Sequence, residues 1–240
     1  MAKLYVVGLG PGGREHMTLK AVETIKSCNV VVGYTYYIEL IEDLIKEDQK
    51  VISTGMRGEV ERCKLAIEHT KEGLDTCIIS TGDAGLYGMA GPIFELAEDI
   101  EVEVIPGVSS CFSAASVLGA PIMHDFATIS LSDLLTPWEV IEKRIDLASQ
   151  ADFVISIYNP RSKGRREQIL RAVEIMLEYK SSHTPVGIVK HSGRDGEESR
   201  ITTLGNIDYE FIDMMTMVIV GNKKTYVKDG RMITPRGYDL

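Results

Sequence analysis

Positive charge is in short supply in this chain. Its 26 lysines and arginines face 35 aspartates and glutamates, a net charge of −9. Phosphate binding needs clustered basic residues, so this balance argues against a protein that wraps nucleic acid. No two of the four cysteines (Cys28, Cys63, Cys77, Cys111) have C-x-x-C spacing, which argues against a zinc site or a disulfide framework. Each sits in an apolar or helical context suited to a reduced structural thiol. No long apolar run is free of breakers. The longest uncharged stretch, residues 104–124, holds Pro106, Gly107, Gly119, Pro121 and four serines. It reads as a loop and a buried helix and not as a membrane span. Met1-Ala2-Lys3-Leu4-Tyr5 runs straight into a strand-like segment, without the succession of regions that makes a signal peptide, so a cytoplasmic location is expected.

What the sequence does hold is ordinary globular material. Its 240 residues are 44% hydrophobic and 25% charged, enough for one large domain or two small ones and unlike a disordered chain. In the first half, short apolar runs at residues 4–7, 30–32, 51–52, 77–79 and 102–105 alternate with helical patterns. One helix is Leu19, Val22 and Ile25 behind a Thr18 cap; another is Val60, Cys63 and Ile67, ending at Gly73. Such alternation implies a parallel sheet covered on both faces. After Pro121 the texture changes, with strand-like runs at residues 127–131, 153–158, 186–189, 201–204 and 217–220. One clear helix remains, carried by Ile169, Leu170, Val173, Met176 and Leu177. The expected architecture is α/β in two domains, residues 1–120 with a Rossmann-like parallel sheet and residues 121–240 with a mixed sheet.

Three loops follow strands of the first domain: Gly8-Leu9-Gly10-Pro11-Gly12-Gly13, Ser80-Thr81-Gly82-Asp83-Ala84-Gly85, and Pro106-Gly107-Val108-Ser109-Ser110. Parallel strands bring such loops to one edge, the edge where open α/β sheets bind ligands. A single loop of this kind needs glycine merely to turn tightly; three together point to a ligand site. The first loop has the G-x-G-x-x-G form of a dinucleotide fingerprint, but its companions are missing. Val30-Val31-Val32 runs into Gly33-Tyr34 with no acid to hold a ribose, and Pro11 removes a backbone donor. No G-K-[ST] follows any loop, which excludes a P-loop. Asp83, the one charge among these loops, would accept bonds from a ligand amine or hydroxyl, or else form a turn with its own backbone.

In order and spacing, G-x-G-P-G, S-T-G-D-A-G-x-Y-G and I-P-G-V-S-S resemble the tetrapyrrole methylases, the class III S-adenosyl-L-methionine-dependent methyltransferases. The resemblance extends over essentially the whole chain through Met123-His124-Asp125-Phe126, the SLSDLLTPW run of residues 130–138, Tyr158-Asn159-Pro160-Arg161-Ser162, Val218-Ile219-Val220-Gly221-Asn222 and the MITPRGY run of residues 232–238. These later segments narrow it to members that methylate carbon 17 of the precorrin-3 macrocycle, cobalt-bearing or metal-free, with contraction of the ring, in cobalamin biosynthesis. The resemblance implies a cleft between the two domains, a homodimer, and methyl transfer that leaves S-adenosyl-L-homocysteine. It assigns cofactor contacts to Gly82, Asp83, Ala84, Gly85, Leu86, Tyr87, Ser109, Ser110, Tyr158, Asn159, Gly187, Thr216 and Met217. Pro11 would face the tetrapyrrole. No metal-ligand cluster is seen, so any cobalt belongs to the substrate.

Methyl transfer rests on positioning more than on acid–base chemistry, but ring contraction moves protons. His124 and Asp125 are the first candidates for that, against a structural His–Asp contact; Lys190-His191 is the second. Tyr34, Tyr36 and Tyr37 would either floor a macrocycle pocket or pack a helix start. A precorrin carries several carboxylates, and the net charge has to be divided to accommodate them. Residues 1–120 hold 10 basic and 18 acidic side chains, and residues 121–240 hold 16 and 17. Residues 158–194 hold 8 basic against 3 acidic. Arg161, Lys163 and Lys190 in this stretch are the expected substrate contacts, the alternative being solvated surface charge. Competing readings are a nicotinamide-dependent oxidoreductase resting on Gly8, Gly10 and Gly13, a non-catalytic tetrapyrrole carrier, and a sister methylase acting at another ring carbon.

Overall fold

The computed structural model describes residues 2–239. The chain divides into two compact units, Met1–Ser110 and Cys111–Leu240. In the first unit β1 (Lys3–Gly8), β2 (Val30–Tyr34), β3 (Lys50–Thr54), β4 (Thr76–Ser80) and β5 (Glu101–Ile105) form one sheet in the order β3-β2-β4-β1-β5. Every pairing is parallel. Strand alternation sends Val7, Val31, Cys77 and Ile79 to one face, against Ala21 and Ile25 of α1 (Leu19–Ser27) and Ile38 of α2 (Thr35–Glu39). Leu4, Val6, Val30, Val32 and Ile78 go to the other, against Cys63, Ala66 and Ile67 of α3 (Glu59–Lys71) and Ile93 of α4 (Ala90–Leu96). Both faces are therefore covered, as the apolar runs require.

The Thr18 cap is present: its hydroxyl accepts from the Ala21 N–H at 3.1 Å. The buried stripe of α1 is Ala21, Thr24 and Ile25, while Leu19 is exposed. All four cysteines are buried and free. Burial pushes the Cys63 thiol up to about 11, and a hydrogen bond with Cys28 together with burial raises Cys77. Thiols held protonated in this way are poor nucleophiles.

The second unit begins earlier than the expected boundary at 120/121. Helix α5 (Ser110–Leu118) covers a face of the second sheet, and β6 (Gly119–Ala120) pairs with β13 (Arg231–Ile233) near the end of the chain. The sheet comprises β7 (Phe126–Ser130), β8 (Val154–Tyr158), β9 (Pro185–Lys190), β10 (Glu198–Thr203) and β11 (Thr216–Val220), in the order β10-β9-β11-β8-β7. The β7–β8 pair is parallel and the others antiparallel, so the sheet is mixed. One face packs Ile155, Ile157, Val186, Ile188 and Val218 on α6 (Trp138–Gln150) and α7 (Glu167–Leu177). The sequence shows α7 plainly but hides α6, whose buried stripe is only Ile141, Ile145 and Ser149. On the opposite face, a Cβ at Gly187 would lie 2.2 Å from Leu118 Cδ1 of α5. β12 (Tyr226–Lys228) and β13 close the chain as an antiparallel hairpin. No helix among the described residues is long and apolar enough to cross a membrane.

Candidate functional site

Parallel pairing of β1 with β4 and β5 carries the three small-residue loops to the carboxyl edge of the first sheet. There they meet backbone to backbone. The Leu9 N–H donates to Ser80 O at 2.8 Å, and the Gly10 N–H to Gly82 O at 2.9 Å. A Cβ on Gly8 would lie 2.7 Å from Gly82 O, one on Gly107 2.3 Å from the same oxygen, and one on Gly10 1.8 Å from Val108 O. The glycines of the apparent dinucleotide fingerprint thus let three loops pack together, and that is why their spacing comes without the acid and donors a dinucleotide needs.

Asp83 ties the arrangement. Its Oδ1 accepts from the Gly85 N–H at 2.8 Å and its Oδ2 from the Gly107 N–H at 3.1 Å. Gly82 and Tyr87 both take positive φ, 68° and 56°. Ala84, Ser109 and Pro11 are buried, Leu86 and Ser110 are half-buried, and Gly85 and Tyr87 are exposed. The Ser80 hydroxyl, at the root of the second loop, is buried with no hydrogen-bond partner among the described residues. Beside the loops, Tyr34 and Tyr37 pack edge to face at 5.1 Å, and Tyr36 and Tyr37 lie 6.3 Å apart; all three are half-buried.

In the second unit the strand registers gather one group of expected residues and separate another. Val218 lies opposite Ile157, and Thr216 opposite Lys190. The end of β8, with Tyr158 and Asn159, therefore shares an edge with the start of β11 (Thr216, Met217) and the end of β9 (Lys190). Tyr158 Oη accepts from the Cys111 N–H at 3.2 Å, and Asn159, at φ 51°, donates through Nδ2 to Ser130 Oγ at 2.9 Å. Thr216 is buried and donates to Asp213 Oδ1 at 2.9 Å; Met217 is buried. Gly187 lies in mid-strand, and its lack of a side chain makes room for Leu118. His124 and Asp125 stand at the other end of the sheet, in the connection that leads into β7. Both are exposed, with the Asp125 N–H donating to His124 Nδ1 at 2.8 Å. The β7 strand separates them from Ser130, so they do not share the edge of Tyr158 and Asn159.

The basic stretch is largely neutralised by carboxylates that lie outside it in sequence. Arg161 donates through Nη2 to Glu210 Oε1 at 2.7 Å and through Nη1 to the Tyr209 carbonyl. The guanidinium in turn holds the Glu210 carboxyl below its ordinary value. Arg165 donates to Leu131 O at 2.6 Å and lies 3.7 Å from Asp133. Lys190 pairs with Asp213 at 2.9 Å, and Lys180, buried, with Asp152 at 3.5 Å. Burial is the main cause of a lowered Lys180 pKa. Lys163 is exposed, and its side chain has no partner among the described residues. Sequence reasoning passed over the orphaned Ser80 hydroxyl and the turn after β3, Gly55-Met56-Arg57-Gly58. Its paired glycines directly after a strand-like run were the available signal.

A doubly wound parallel unit followed by a mixed-sheet unit, with three small-residue loops gathered at the carboxyl edge of the first, defines an α/β protein with the loop arrangement that open α/β sheets use for ligands. Residues 3–208 match the family model described as Tetrapyrrole (Corrin/Porphyrin) Methylases, and the chain belongs to that family. It is 54% identical to the probable cobalt-factor III C(17)-methyltransferase of Salmonella typhimurium, across 99% of this chain and 100% of that protein. It is 36% identical to the precorrin-3B C(17)-methyltransferase of a Sinorhizobium species, across 98% of this chain and 96% of that protein. Among solved structures it is similar to the crystal structure of the methyltransferase CobJ, with a TM-score of 0.93 and 32% identity, covering 98% of this chain and 100% of that one.

Proposed function

We propose that the chain transfers a methyl group from S-adenosyl-L-methionine to carbon 17 of a cobalt-bearing precorrin-3-type macrocycle, with contraction of the ring, in cobalamin biosynthesis. The observation that carries this reading is the 54% identity, end to end, with a relative named for cobalt-factor III, against 36% with one named for precorrin-3B. The reading includes a cytoplasmic homodimer.

The edge chemistry supports the cofactor. The loops at residues 8–13, 80–88 and 106–110 contain no cation and one acid, Asp83. That suits a sulfonium compound without phosphate and ill suits a dinucleotide. The buried Ser80 hydroxyl has hydrogen-bonding capacity to spare at the root of the central loop. Residues 82–87, Ser109 and Ser110 of the first sheet edge, with Tyr158, Asn159, Thr216 and Met217 of the second, would hold the cofactor. When bound, it supplies an electrophilic methyl group. The chain contributes positioning and exclusion of water, which Asp83 serves by fixing two loops relative to each other. Pro11 would border the macrocycle, and Lys163, exposed and without a side-chain partner among the described residues, would meet a substrate carboxylate. Arg161 and Lys190 already hold carboxylates of this chain. For the proton transfers of ring contraction, His191, directly after β9, shares the edge of Tyr158; His124 and Asp125 do not.

Incubation with methyl-labelled cofactor and either cobalt-loaded or metal-free macrocycle, followed by mass spectrometry, tests the proposal. One added methyl group and a contracted ring are expected with the cobalt-loaded substrate. Methylation at another carbon, or binding without methylation, would overturn it.

A further inference from the structure

The turn after β3 belongs to the same sheet edge as the three loops, because β2 and β3 run parallel with Tyr34 opposite Thr54. It is fastened from below by Arg62 of α3, which is 5% exposed. Arg62 Nη1 donates to Thr54 Oγ1 at 2.7 Å and to Gly55 O at 3.0 Å, Nη2 lies 3.3 Å from Glu59, and the guanidinium sits 6.0 Å from the centre of the Tyr34 ring. All of this chemistry is spent inside the fold. Above it the turn presents Met56, 80% exposed, and Arg57, also exposed.

Two properties of Arg57 have no folding explanation. Its φ is 64°, a left-handed conformation that a long side chain disfavours and that glycine would take freely. And its side chain has no partner among the described residues, in a unit rich in acids, whereas the unit's other two arginines both hold carboxylates, Arg14 that of Asp43 and Arg62 that of Glu59. A strained residue kept by an otherwise well-tied turn points to a role outside folding. Since the three neighbouring loops carry no cation, Arg57 is, among the described residues, the free guanidinium of this edge.

We infer that Arg57 binds a peripheral carboxylate of the macrocycle, with Met56 covering the apolar ring edge beside it. This rests on the reading that the substrate is a polycarboxylate tetrapyrrole. Planar two-pronged pairing with carboxylate is what a guanidinium does best.

Arg57→Gly and Arg57→Glu test it, with Lys71→Glu, the same change in charge at the far end of α3, as the control. Macrocycle binding is read by absorbance titration, turnover by methyl transfer, and cofactor affinity by calorimetry with S-adenosyl-L-homocysteine. Arg57→Gly should keep or raise the thermal midpoint, because glycine accepts the backbone conformation. It should raise KM and the macrocycle Kd on the order of tenfold, the worth of one charge-assisted bond, with kcat and cofactor affinity within about twofold. Arg57→Glu should go further in the same direction, and Lys71→Glu should leave KM unchanged. Unchanged macrocycle affinity in both Arg57 variants, an equal loss of cofactor affinity, or a Lys71→Glu effect matching that of Arg57→Glu would overturn the inference. A wild-type chain that binds macrocycle but transfers no methyl group would instead sink the methyltransferase reading, with the Arg57 comparison still measurable. One that binds no tetrapyrrole removes both.

Discussion

At the carboxyl edge of the first sheet, three loops touch through backbone atoms and carry a single charged side chain, Asp83. The corresponding edge of the second sheet is tied by ion pairs: Arg165 with Asp133, Arg161 with Glu210, and Lys190 with Asp213. In the first unit the residues that matter are those with no side chain, because an edge made of close-packed backbone leaves no room for a Cβ. In the second, long side chains reach across sequence distance and cancel one another. Gly187, in mid-strand and away from that edge, leaves its side-chain space to Leu118. Glycine loops whose one charge is the Asp83 carboxylate suit a neutral or cationic ligand. A ring of spent ion pairs contributes rigidity and little net field.

The sharpest way to break this contrast is to add one methyl group to the first edge. In Gly10→Ala the new Cβ would stand 1.8 Å from Val108 O and 2.6 Å from Gly82 Cα, so backbone on both sides must move. A stability loss of about 2–3 kcal/mol is expected from overpacking. Because the same loops are the proposed cofactor site, affinity for S-adenosyl-L-homocysteine should fall by at least about tenfold, the equivalent of a further 1.4 kcal/mol. Gly91→Ala, where nothing lies within 4 Å, is the control, and it should gain helix stability of up to about 1 kcal/mol. Denaturant titration and calorimetry of both variants decide the matter. If Gly10→Ala matches wild type in both, the backbone contacts do not define the edge.

The same contrast governs what could be read before the structure was known. The strands of the two five-stranded sheets, their order of appearance and the three loops were legible, because short continuous apolar runs and glycine punctuation are local signals, whereas the short β6, β12 and β13 were not. The domain boundary was not. Residues 104–124 look like the end of one domain, yet α5 covers the second sheet, and the evidence for that is the fit of Leu118 to Gly187, 69 positions away (187 − 118). The positive stretch at residues 158–194 misled for the same reason. Asp133, Asp152, Glu210 and Asp213, which neutralise it, all lie outside that window. His124 and Asp125 stood out as a pair, but only the register of β7 against β8 shows which end of the sheet they occupy.

Arg161 tests the second half of the comparison. Its side chain is 13% exposed and donates to both Glu210 and the Tyr209 carbonyl. Arg161→Ala should cost about 1–2 kcal/mol in stability, from the hydrogen bonds left unmade. Turnover at 25 °C should show KM for the macrocycle within about twofold of wild type, since a spent cation has little to offer a substrate. A tenfold rise in KM with unchanged stability would return Arg161 to the substrate and make the second edge resemble a binding surface after all.

The smallest effect is a matter of pH. Burial pushes the Asp213 carboxyl up, but Lys190 at 2.9 Å, the Met215 N–H at 2.8 Å and the Thr216 hydroxyl at 2.9 Å together outweigh it and hold the group below its ordinary value. A carboxyl with a depressed folded pKa stabilises the fold fully above the unfolded value, about 3.9 for Asp, and loses that contribution as pH falls through the folded value. Asp213→Asn should therefore melt below wild type at neutral pH, with the gap closing below about pH 4. Because the Asp213 side chain is 46% exposed, solvent screens the pair, and added salt should shrink the neutral-pH gap as well. A gap that stays constant from neutral to acid pH would mean that Asp213 acts through its hydrogen-bonding shape alone. The second edge would then be held, like the first, by geometry and not by charge.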